Sequence, residues 1–230
     1  MMPAMALWTL LWACETPTEA DSLVTWAGWV YAGPETVETA RLGAGSVTFW
    51  PAPFAESEQI AAAQPYEDYV GYWSVDVPPD QPVLVRVVAD ELHPTVWAGD
   101  TPSADGNWFA GALFAVEDGW LEDVFDALGA DGDAWVEVLT ERAIVLGYPA
   151  SDAIVCEDLT VESDAGVVAP SCWSVGEDGD VAEVRTGPID WFAAQVSAGE
   201  VRVGIGGASE LYVAAPGDVV MAWYLTGVDP

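Results

Sequence analysis

Lysine is absent from this 230-residue sequence, and its five basic residues, all arginines, face 38 acids for a formal charge of −33. A field of that sign repels phosphate backbones, whose binding depends on Lys and Arg displacing counterions, so nucleic acid is excluded as a partner. The missing lysine also removes the phosphate-binding P-loop, and no Gly-x-Gly-x-x-Gly run opens a helix, so nucleotide chemistry has no seat. Histidine occurs once, at His93 ahead of Pro94, where the chain is biased toward an extended or turn conformation. With no serine in a Gly-x-Ser-x-Gly elbow to accompany it, His93 reads as structural. The three cysteines include no Cys-x-x-Cys pair, which leaves too few thiolate and imidazole ligands for zinc.

What is present is apolar and aromatic: 52% hydrophobic residues, 11% aromatic, and 13 tryptophans. That is ample for packed cores, and the surplus acid reads as a solvated surface. Short β-branched and aromatic stretches separated by Gly, Pro and Asp read as strands: 27–32, 46–50, 72–77 and 83–88 in the first half. In the last of these, Val83, Val85 and Val87 share one face and Leu84, Arg86 and Val88 the other. Between the halves, Trp120, Leu121, Val124, Phe125 and Leu128 fall at helical spacing, with Asp118 as N-cap and Gly129 as stop, which predicts one amphipathic helix. Asp131-Gly132-Asp133 then reads as a turn into a strand over Ala134 to Leu139.

The N-terminus has its own logic. Residues 5–13 form an apolar run of signal-peptide length, too short for the roughly 20 residues of a membrane span. Leu11-Trp12-Ala13-Cys14 resembles the bacterial lipobox, which implies that Cys14 is acylated and becomes the new N-terminus. The polar stretch after it, Glu15 to Ser22, reads as a flexible tether. The leader carries no Lys or Arg, a departure from the usual positive n-region. Export leaves two cysteines, Cys156 and Cys172, and an oxidising compartment favours pairing them.

The two halves echo one another. Leu159-Thr160-Val161 matches Val47-Thr48-Phe49, Trp191 to Val196 matches Tyr72 to Val77, and Val201-Arg202-Val203 matches Val85-Arg86-Val87. The same order of elements favours a duplicated unit. Ala27-Gly28-Trp29-Val30, Gly45 to Phe49, Gly71-Tyr72-Trp73-Ser74-Val75-Asp76-Val77-Pro78 and Val83 to Val87 together resemble a carboxypeptidase regulatory-like domain, one of the transthyretin-like sandwiches. The resemblance implies a Greek-key sandwich, supplies no catalytic residues, and points to an accessory, adhesive or structural module. The expected organisation is a mostly β chain: signal peptide 1–13, tether 14–22, first sandwich 23–100, connector with one short helix 101–130, and second sandwich 131–230.

Three kinds of site remain open in the sequence. Trp26, Trp29, Trp73, Trp97 and Trp108 could form a platform that stacks on sugar rings, core filling being the competing reading. Asp100, Asp105, Asp178 and Asp180, in two acidic turns, are weak calcium ligands without EF-hand spacing. A carboxylate pair could serve a glycoside hydrolase, but 38 acids conceal it. The reading is a secreted, lipid-anchored envelope protein (outer membrane or cell surface), non-enzymatic, without cofactor. It would touch the membrane only through its anchor and bind an envelope protein or a glycan. A carbohydrate-active protein, sugar-binding or hydrolytic, is the alternative.

Overall fold

A computed structural model describes residues 23–33, 38–43, 46–52, 59–65, 68–104, 110–147, 154–176, 178–205 and 208–222. The leader, the tether, Cys14, Asp105 and Trp108 lie outside the described residues. The chain is mostly β, with two short helices among the described residues.

The first half contributes β1 (Val24–Tyr31), β2 (Val47–Pro51), β3 (Ala61–Ala62), β4 (Gln64–Pro65), β5 (Tyr72–Val77), β6 (Pro82–Val87), β7 (Thr95–Asp100) and β8 (Ala110–Phe114). Then follow α1 (Asp118–Ala127) and α2 (Gly132–Val138). The second half holds β9 (Ala143–Gly147), β10 (Leu159–Ser163), β11 (Gly166–Val168), β12 (Ser171–Val175), β13 (Val181–Val184), β14 (Trp191–Val196), β15 (Gly199–Ile205), β16 (Ala208–Ala214) and β17 (Val219–Met221).

Pairing order repeats between the halves. The order β4-β5-β1-β8 has its counterpart in β12-β14-β9-β17, and β3-β2-β6-β7 in β11-β10-β15-β16. In both, the opening strand lies antiparallel to one neighbour and parallel to the other. The matched segments even place a glycine opposite an aromatic ring: Gly28 faces Trp73, and Gly147 faces Phe192. At Gly147 a Cβ would lie 2.1 Å from the Phe192 ring, so the ring occupies the space that any other residue would fill. The echo is imperfect in register, because Val47 stands opposite Val87 whereas Leu159 stands opposite Ile205, a slide of two residues. A slide of two keeps every side chain on its own face.

What joins the halves is β17. It pairs parallel with β9 of its own half and parallel with β7 of the first, so strands of both form one nine-stranded sheet, β13-β12-β14-β9-β17-β7-β6-β2-β3. The sheet is buried on both faces near its middle, which is why Val83, Leu84 and Val85 are all interior. One face, including Phe49, Val85, Trp97, Leu146 and Met221, packs beneath the β4-β5-β1-β8 sheet and the helices. The other, including Leu84, Val96, Val145, Phe192 and Val220, packs against the β11-β10-β15-β16 sheet.

Three expectations are corrected here. Residues 134–139 are not a strand: Asp131 accepts from the Ala134 N–H at 3.1 Å and caps α2, and Trp135 stacks on Phe125 with centroids 4.4 Å apart. Cap and stacking together outweigh the β-branched residues there. Asp118 is not the N-cap of α1; Glu117 holds that place without a side-chain cap, and Asp118 pairs with His93 instead. The stretch 101–130 is more than a connector, since it contains β8, paired along β1.

Candidate ligand-binding surface

Sandwich cores need bulky inner residues, and most of the proposed tryptophan platform is spent on that. Trp73 has no exposed surface, and Trp26 and Trp97 are buried as well. Trp26 lies 5.2 Å from Phe49 and 5.8 Å from Trp73, ring centre to ring centre. Trp97 meets Phe114 edge-on at 4.5 Å and donates to the Thr95 hydroxyl at 3.1 Å. These three therefore offer no face to a sugar, which corrects that part of the expectation. The Trp26 and Trp73 Nε1 donors have no hydrogen-bond partner among the described residues, a cost the buried ring area must outweigh.

Trp29 is the exception. It points from the outer side of β1 and stands directly opposite Tyr72 of β5, with centroids 5.0 Å apart. Tyr69, in the turn before β5, joins them at 6.4 Å from Trp29 and 6.3 Å from Tyr72. Neither tyrosine was singled out from the sequence, where the signal was Tyr69-Val70-Gly71-Tyr72: two aromatics bracketing a glycine turn.

That glycine sets the geometry. Gly71 has φ +80°, and a Cβ on it would lie 2.8 Å from both the Thr39 Cβ and the Val30 carbonyl oxygen. Only glycine lets the turn sit this close and this twisted. The Val30 N–H donates to the Gly71 carbonyl at 2.9 Å and ties the turn to β1.

On the other side of the turn lies a cleft of about 600 Å³, into which Val70 opens. Leu92 and Trp120 add apolar wall, Glu38, Asp90, Glu91 and Glu117 supply carboxylates, and Arg41 the guanidinium. His93 closes the loop below by donating its backbone N–H to the Val116 carbonyl at 2.7 Å while its ring pairs with Asp118. This is a histidine with a structural partner on each side.

No protein-family model and no curated protein matches the chain. Among solved structures, the Bacillus anthracis TIE protein aligns with 86% of this chain at 6% identity and a TM-score of 0.31. A streptococcal ancillary pilin aligns with 87% at 10% identity and a TM-score of 0.24. The chain spans 33% of the first of these proteins and 67% of the second.

The remaining predicted positions scatter. Cys156 and Cys172 are disulfide-bonded, Cα atoms 6.1 Å apart, fastening the turn before β10 to β12. Asp100 ends β7 beside a second cleft of about 470 Å³, while Asp178 and Asp180 lie in the β12–β13 turn. Among the described residues no three His, Cys, Asp or Glu side chains come close enough to hold a metal ion. No described helix is long and apolar enough to cross a membrane.

Proposed function

We propose that this chain is an exported lipoprotein of the cell envelope, anchored through Cys14, and that it acts as a non-catalytic binding, adhesive or structural module. The observation that carries the reading is the joint. A single strand, β17, zips two repeats into one sheet, and beside it Arg86 grips the buried Asp218 carboxylate through Nη2 at 2.7 Å and Nε at 3.3 Å. Two units locked this way hold surfaces at a fixed separation, which suits holding a partner more than closing around a substrate. The Cys156–Cys172 bond supports export, since structural disulfides persist in oxidising compartments. We read each half as a transthyretin-like Greek-key sandwich, the first a carboxypeptidase regulatory-like domain and the second its duplicate. An envelope protein or a glycan would be the partner.

Mass spectrometry of the mature N-terminus tests the anchor. The expected result is an acylated Cys14 at position one, with partition into detergent that Cys14→Ser abolishes. Recovery of the intact chain from cytosol with reduced thiols would overturn it.

A further inference from the structure

The outer face of the β4-β5-β1-β8 sheet carries a compact aromatic group whose rings reach solvent. Tyr69 is 59% exposed and the adjoining Val70 55%, while Trp29 and Tyr72 are half-buried. A few ångströms along the same face the surface turns polar, where Thr25 donates to Asp76 at 2.7 Å and Ser74 intervenes. Along these strands the described rings give way to polar groups. A protein partner wants roughly 800 Å² on each side with a contiguous apolar centre, whereas here the described polar side chains of Ser74, Asp76 and Thr25 interrupt the face.

We infer that Trp29, Tyr69 and Tyr72, together with the adjoining cleft, bind an uncharged glycan chain. This rests on the reading of the protein as an envelope binding module and names the ligand class for it. The ring faces of Trp and Tyr match the C–H face of a sugar. Past the turn, the carboxylates of Glu91 and Glu117 accept from hydroxyls, and the Arg41 guanidinium donates to them. A charge of −33 repels uronate-rich or sulfated chains, which excludes polyanionic ligands. The rings of Tyr72 and Tyr69 stand at 66° and 86° to Trp29, so no plane touches all three. A soluble chain whose successive sugars turn relative to one another fits that arrangement; a flat crystalline ribbon does not.

Native affinity electrophoresis of the full chain tests this, in gels containing soluble starch, xyloglucan or galactomannan, with alginate as the polyanionic control. The expected result is retardation by at least one of the three uncharged polysaccharides and none by alginate. Tyr69→Ala should weaken that retardation about tenfold, the loss of one stacked ring, and Tyr69→Phe should retain it; Tyr69 is exposed enough that neither change disturbs folding. Unchanged mobility in all three gels, retardation indifferent to Tyr69→Ala, or equal retardation by alginate would overturn the inference. An acylated Cys14 in a protein that ignores all three polysaccharides would sink the glycan assignment alone. Tyr69-dependent retardation of a protein that stays unacylated in the cytosol would sink the envelope reading alone.

Discussion

The two halves of the molecule pair their strands in the same order yet are held together differently. The first half centres on interlocked aromatics, Trp26, Phe49 and Trp73, and its turn at Gly71 is shaped by packing. The second half has the smaller Phe192 where the first has Trp73, and it adds the Cys156–Cys172 bond between the turn before β10 and β12. Bulk fills one half and a covalent link restrains the other. A strand order therefore tolerates quite different sources of stability, provided each residue stays on its own face.

The arginines make the contrast sharpest. Arg86 and Arg202 occupy matched places in β6 and β15, but Arg86 reaches the fully buried Asp218, whose second oxygen also accepts from the Ala215 N–H at 2.8 Å. Arg202 is exposed at the edge of the second cleft. Truncating Arg86 leaves a buried carboxylate without its counter-charge, at the joint between the halves. Arg86→Ala should cost about 3–5 kcal/mol, whereas Arg202→Ala should stay within about 0.5 kcal/mol. Denaturant unfolding of the two variants side by side checks this, and equal losses would erase the distinction.

Breaking the disulfide should act first on the second half. Replacing both Cys156 and Cys172 by Ala should cost about 3 kcal/mol, from the loop entropy returned to the unfolded chain. Hydrogen exchange should show amides of β10 and β12 losing protection before those of β5 and β6. Uniform loss across both halves would mean that the joint transmits the damage.

The smallest effect lies in the helices between the halves. The Glu122 carboxyl is raised from its ordinary value, first by desolvation and then by the charges of Asp133, Asp118, Asp126 and Asp123. A raised acid pKa means that the folded state pays a penalty once Glu122 ionises, present above its folded pKa and absent below the ordinary carboxylate value. Glu122→Gln should therefore raise the thermal midpoint slightly at neutral pH, with the gain vanishing as pH falls below that value. A gain that persists in acid would point to packing instead.

Much of the secondary structure is written locally. Strands β2, β5 and β6 follow from alternation and β-branched residues, and α1 from its apolar spacing, because each signal lies within its own segment. Strands β8 and β17 are different. Ala110-Gly111-Ala112-Leu113-Phe114 has weak strand propensity and Val219–Met221 is three residues long, so both exist through the parallel neighbours that pair with them. At the surface, Trp29 was visible as one of many tryptophans, but nothing local separates it from Trp73. Their fates differ because one faces outward from its sheet and the other lies over the core.

By itself, then, the sequence determined the alternation of each strand, the acid-rich surface, the cysteine pair available to be joined, and the matched order of elements in the two halves. Only the tertiary structure decided that β17 would bind the halves into one sheet, that Arg86 and not Arg202 would meet a buried acid, and which aromatic rings would reach solvent. The physical reason is that backbone pairing uses N–H and C=O groups that every strand carries, so an edge does not announce its neighbour. Burial in turn depends on which face that neighbour covers.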